Sequence, residues 1–92
     1  GEVRLVDVRE PDEFAAGHPA GSINMPLARV PGAIGELPEG LIAFTCRSGA
    51  RSRRAAQAAH AAGRSDVSNV TGGYLAWQKA GLAIETNTGG VV

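Results

Sequence analysis

The stretch FTCRSGARSRRAAQAAHAAG, residues 44–63, decides the fold. It begins inside an apolar run, Leu41 to Thr45 (LIAFT), that is too apolar to be half exposed and reads as a strand buried on both faces. It ends in an alanine-rich helix expected over Ser52 to Ala62, with Ser48 or Ser52 as a cap at the start and Gly63 at the end. Between the two lies a short polar loop that holds the only cysteine of the chain, Cys46. A buried strand, a tight loop and a helix together form the repeating unit of an α/β domain.

Outward from this unit the pattern continues. Val3 to Val8 (VRLVDV) reads as a second buried strand. The following EPDEFAAG reads as a short helix, with Pro11 at its first position, acids in its first turn and Gly17 at its end. Ser22 to Met25 is a brief extended piece after a loop. Leu27 to Leu37 has room for one or two helical turns, which Pro31, Gly32 and Gly35 weaken. Asp66 to Val70 (DVSNV) is a further short strand. GGYLAWQKAG is a short helix that the chain enters through a Gly72–Gly73 turn, with Trp77 expected in the core. The tail ETNTGGVV is expected to fray. The alternation predicts an α/β domain with a mainly parallel sheet of four to five strands flanked by short helices.

Ninety-two residues make one domain, residues 1–92, with a modest core. Hydrophobic content of 43% and charged content of 20% fit a globular chain, so alanine and aliphatic residues must do most of the packing around only four aromatics. Nine basic residues balance nine acidic ones, which gives no electrostatic reason to expect nucleic acid or a membrane surface as partner. One cysteine excludes an internal disulfide and a cysteine-based metal cluster, and neither a metal nor a cofactor is expected. A free thiol fits a reducing compartment, so the expected localisation is cytoplasmic. Export stays open because the chain begins abruptly in a strand-like stretch.

Cys46 sits where sites form in open α/β sheets, beyond the carboxyl end of a strand. Inward-pointing backbone N–H groups of the loop, the start of the following helix, and the charges of Arg47 and Arg51 all favour thiolate over thiol. A lone cysteine is commonly a packing residue, but RSGARS is a polar, cationic neighbourhood that suits a reactive thiol better. With no second cysteine, dithiol exchange within the chain is excluded and any acceptor thiol comes from outside. His18 lies in a Gly/Pro turn and His60 two turns into a helix, so neither is placed as a base. Only four residues separate Cys46 from Arg51, a tight cradle that suits a single large atom such as sulfur better than a tetrahedral oxyanion.

CRSGARS resembles the active-site loop of rhodanese-like domains. LVDVREPDEFAAGHPAGSINMPL resembles the opening motif of that family, and VTGGYLAW its closing Gly-Gly-x-x-x-Trp motif. The three stand in family order and cover nearly the whole chain. Two departures stand out: the strand and helix that usually precede LVDVRE are missing from residues 1–92, and Pro19–Ala20 stands where the family often has Ile-Pro. The resemblance implies a sulfurtransferase that carries sulfane sulfur on Cys46 as a persulfide. Backbone N–H groups of Arg47, Ser48, Gly49, Ala50, Arg51 and Ser52 would hold the transferred sulfur. Arg51 would close the loop, and Arg47 would face its mouth. Asp7 and Arg9 would support the strand end. The implied partners are a small-molecule sulfur donor, thiosulfate or a persulfide, and a thiol or cyanide acceptor, including a protein thiol.

Two other readings compete. A non-catalytic rhodanese-like binding or regulatory module would use the same fold, although many such modules lose the cysteine that this chain keeps. A phosphatase or arsenate reductase shares the Cys-loop-Arg plan, but with a longer loop that fits phosphate.

Overall fold

The computed structural model describes residues 3–86. The element order is β1 (Arg4–Asp7), α1 (Pro11–Ala16), β2 (His18–Pro19), β3 (Ile23–Asn24), two 3-10 segments (Leu27–Arg29 and Pro31–Glu36), β4 (Ile42–Thr45), α2 (Ala50–Ala61), β5 (Val67–Asn69), α3 (Gly73–Lys79) and β6 (Ile84–Glu85). The main sheet has the order β3-β1-β4-β5, with every pair parallel. The expected α/β architecture is present, with four strands in the main sheet. Among the described residues no helix is long and apolar enough to cross a membrane.

The central strands follow from their residues. Every residue of β4 is buried, as the apolar run requires. In register, Val6 lies beside Phe44 and Ile42 beside Val67. Parallel partners share a face, so these side chains form one apolar surface. Ala55 and Ala59 of α2, both fully buried, pack on it together with Val30, Ala33 and Leu37 from the 3-10 region. Small residues on α2 let the helix lie close to the sheet. This explains how a chain with four aromatics fills its core.

Several boundaries differ from the sequence reading. Helix α2 begins at Ala50, and its N-cap is Gly49 at φ +113° rather than a serine. The left-handed turn at Gly49 swings the chain from loop into helix, a conformation a β-carbon disfavours. It sends the Ser52 side chain inward instead of onto the cap. The 27–37 region forms 3-10 turns because Pro31 lacks a donor and Gly32 and Gly35 give little helical preference. Trp77 is only half-buried: its indole N–H donates to the Ala83 carbonyl at 2.7 Å and ties down the chain after α3. That chain returns as β6 and pairs antiparallel with β2, so Glu85 is part of a small ribbon rather than a frayed tail. Residues 87–92 lie outside the described residues.

At the end of β1, Asp7 forms a buried ion pair with Arg9. Arg9 Nη2 lies 2.8 Å from Asp7 Oδ2, and its Nε lies 3.1 Å from both carboxylate oxygens. The same Nη2 donates to the Gly17 carbonyl at 2.6 Å, and the guanidinium lies 4.4 Å from the centre of the Tyr74 ring. One cation thus joins the strand end, the end of α1 and α3. Asp7→Ala leaves this guanidinium buried without its counter-charge. We expect a stability loss of about 3–5 kcal/mol in urea unfolding. A loss below about 1 kcal/mol, the scale of an exposed pair, would contradict the role assigned to it.

Candidate active site

Cys46 follows β4 directly and is 1% exposed. Its Sγ accepts a hydrogen bond from the Gly49 N–H at 3.0 Å and lies 3.4 Å from the Ser52 hydroxyl oxygen. Burial pushes the thiol pKa up. Hydrogen bonds from the Ser52 hydroxyl and from the backbone N–H groups of Ser52, Gly49 and Ser48 push it down and prevail, so the net shift is downward from the ordinary value.

The orientation of those N–H groups has a structural cause on the other side of the loop. The Tyr74 N–H donates to the Cys46 carbonyl at 2.7 Å, and the Leu75 N–H donates to the Arg47 carbonyl at 3.1 Å. In a planar trans peptide the C=O and the following N–H point in opposite directions. Turning the Arg47 carbonyl toward α3 therefore turns the Ser48 N–H toward the sulfur. The approach needs Gly73. It stands at φ +56°, and a β-carbon there would lie 2.4 Å from the Cys46 carbonyl oxygen and 2.8 Å from that of Arg47. Gly72 and Gly73 do form the expected turn into a helix, and Gly73 also lets that helix close on the cysteine loop.

The remaining candidates fall into four groups. Ser48, Gly49 and Ser52 surround the sulfur. Ala50 opens α2. Neither arginine side chain hydrogen-bonds the sulfur. The Arg51 guanidinium meets Glu13 of α1 in a two-pronged pair, at 2.8 Å and 3.2 Å. Arg47 is exposed and lines a cleft of about 410 Å³ beside the loop, shared with Glu13, Tyr74, Leu75 and Gln78. Asp7 and Arg9 support the strand end as described. His18 is buried, with Nδ1 2.6 Å from the Phe14 carbonyl oxygen and its ring stacked on Phe14, which makes it a turn residue. His60 lies exposed on α2. Among the described residues no group of three or more His, Cys, Asp or Glu side chains is arranged to hold a metal ion.

The sequence reading missed Glu13, Tyr74 and Asn69. Asn69 Oδ1 lies 2.5 Å from the Ser52 hydroxyl oxygen. Glu13 had a signal, an acid in a first helical turn, but nothing in the spacing connects it to an arginine 38 residues later.

Residues 1–80 match the family model of the rhodanese-like domain. The chain belongs to the rhodanese-like domain family. It is 37% identical to a protein named sulfurtransferase from Allochromatium vinosum, over 90% of this chain and 78% of that one. It is also 37% identical to the chloroplastic thiosulfate sulfurtransferase 16 of Arabidopsis thaliana, over 86% and 77% of the two chains. The fold superposes on the human single-domain sulfurtransferase TSTD1 with a TM-score of 0.77 and 28% identity, covering 84% of this chain and 81% of that one. At the level of the family, this rhodanese-like chain is a sulfurtransferase-like domain.

The Glu13–Arg51 pair ties α1 to the helix that follows the cysteine loop, and it gives a pH signature. The hydrogen bond from Arg51 lowers the Glu13 pKa most, against an opposing effect of burial, and the Glu10 N–H and the charges of Arg51 and Arg9 lower it further. The result falls from 4.5 to about 2. The unfolded chain therefore binds more protons between those values. The contribution of the pair is complete above about 4.5 and fades as pH falls toward about 2. In urea unfolding at a series of pH values, wild type is expected to exceed Glu13→Gln in stability at neutral pH, and the gap should close across that window. A gap that stays constant with pH would contradict the pairing.

Proposed function

We propose that the domain transfers sulfane sulfur from a donor such as thiosulfate to a thiol or cyanide acceptor, with Cys46 as the carrier. The supporting observation is a single thiol whose sulfur meets the Gly49 N–H at 3.0 Å inside a loop that lowers its pKa. The similarity to proteins named sulfurtransferases agrees with it.

The chemistry balances without a redox partner. The Cys46 thiolate attacks the outer sulfur of thiosulfate. The bond between the two thiosulfate sulfurs breaks, and sulfite leaves with the bonding pair. Cys46 then carries a persulfide whose terminal sulfur bears the negative charge. An acceptor thiolate or cyanide attacks that terminal sulfur, and Cys46 departs as thiolate. Each half is a displacement at sulfur through a covalent intermediate. The persulfide anion is one large atom, and a ring of preoriented N–H groups from Arg47 to Ser52 stabilises such a charge at little reorganisation cost. The exposed Arg47 attracts anionic donors to the mouth. The burial of Cys46 favours attack on a slim terminal atom, and the four-residue spacing to Arg51 disfavours a phosphate ester.

Intact mass after incubation with thiosulfate tests this reading, beside a Cys46→Ser control. The expected result is one added sulfur atom, absent from the control and removed by cyanide. A folded wild-type domain that gains no sulfur from thiosulfate or from a small-molecule persulfide would refute it in favour of a binding module. Turnover of a phosphate ester that depends on Cys46 would refute it in favour of a phosphatase.

A further inference from the structure

Ser52 carries one hydroxyl proton, and three acceptors surround it. The Gly49 carbonyl oxygen lies at 3.2 Å and Cys46 Sγ at 3.4 Å. Asn69 Oδ1 is far closer, at 2.5 Å. The position of Asn69 follows from the sheet. It is the last residue of β5, in register with Phe44, so it shares the face of the sheet on which α2 packs. Ser52 lies on the buried side of α2 and is 0% exposed, so its hydroxyl has no solvent to turn to.

We propose that Asn69 is a positioning residue that competes with the Cys46 sulfur for the single Ser52 hydroxyl proton. With Cys46 as a neutral thiol the proton goes to Asn69 Oδ1, the nearest of the three acceptors. When Cys46 ionises, the hydroxyl turns about its Cβ–Oγ bond and donates to the thiolate, because a hydrogen bond to a charged acceptor is the stronger one. The Ser52–Asn69 bond is given up in that step, so Asn69 opposes ionisation. When Cys46 carries no charge on Sγ, the proton returns to Asn69. The consequence is a moderated nucleophile. A thiolate stabilised too far loses nucleophilicity, and the best attacking thiol has a pKa near the ambient pH. This role deepens the reading of Cys46 as sulfur carrier and rests on it.

The charged and titratable groups on the Cys46 side of the elements around it are Asp7 at the end of β1, Arg9 just after it, Glu13 on α1, Arg47 in the loop, Arg51 on α2 and Tyr74 on α3, while Arg53, Arg54 and His60 of α2 and Lys79 of α3 are exposed. Substitutions at Asn69 and Ser52 alter none of them, so a change in Cys46 titration reports the hydroxyl.

The test is the pH dependence of Cys46 alkylation by iodoacetamide. It compares wild type with Asn69→Leu and Asn69→Ala, each also in a Ser52→Ala background. The apparent pKa is expected to fall by about half a unit to one unit when Asn69 is replaced, the worth of one net hydrogen bond. In the Ser52→Ala background the same replacements are expected to leave it unmoved. An apparent pKa that stays or rises on replacing Asn69 would overturn the proposal, and so would an equal shift without the Ser52 hydroxyl. If Asn69→Leu does not fold, Asn69→Ala decides by the same criteria. Alkylation reads the thiolate whether or not sulfur is ever loaded, so failure here is separable from failure of the thiosulfate mass test.

Discussion

The site depends on where two carbonyl groups point. The Cys46 and Arg47 carbonyls are taken up by the Tyr74 and Leu75 N–H groups in the first turn of α3. With those oxygens committed outward, the planarity of the peptide unit turns the next N–H inward to the sulfur. The left-handed turn at Gly49 adds a second inward donor. The cradle is therefore not a property of the loop sequence alone. It requires a helix that begins 27 residues beyond the cysteine, docked through a glycine that admits no β-carbon. A buried thiol would otherwise have a raised pKa, because burial disfavours its charged form. Here the donors reverse that tendency.

Two ion pairs hold the frame around this contact, and they differ in character. Asp7–Arg9 is buried, makes several hydrogen bonds and extends to the Gly17 carbonyl and the Tyr74 ring. The value of such a pair lies in what its loss would leave behind, an unpaired charge without water. Glu13–Arg51 is about one-third exposed on each side, so solvent screens it, and its main contribution is geometric. It fixes α1 against the first turn of α2 and keeps the Arg51 guanidinium occupied. Arg47 is left as the exposed cation of the loop. Tyr74 serves both arrangements: its ring packs on Arg9 while its backbone N–H holds the cysteine loop.

Much of this was legible in the sequence, for identifiable reasons. The run around Phe44 is apolar because β4 is buried on both faces, and the Val3–Val8 run around β1 declares itself through Val6 and Val8 in its buried second half, although Val3 and Arg4 at its start are exposed. Pro11 and the acids after it mark the start of α1, and the alanines of α2 mark a helix packed close to a sheet. The cysteine loop stood out because a polar, cationic stretch is a poor place for a packing thiol. What stayed hidden was long-range pairing. The β2–β6 ribbon has only two residues on each side, one of them a proline, and two residues carry no period. Nothing local connects Glu13 to Arg51 or Asn69 to Ser52. Trp77 was expected in the core from its size, but a short surface helix with a carbonyl in reach of its indole N–H holds it at the edge instead. Ser48 and Ser52 had the composition of helix caps, yet Gly49 takes that position because only a left-handed turn delivers the loop to the sulfur.

The central claim is that the loop holds the pKa of a buried thiol below its ordinary value. The rate of Cys46 alkylation in the wild-type domain, followed across pH, tests it most directly. The account predicts an apparent pKa below the free-thiol reference of about 8.5. A midpoint at or above that reference would mean that burial outweighs the donors, and it would contradict the account.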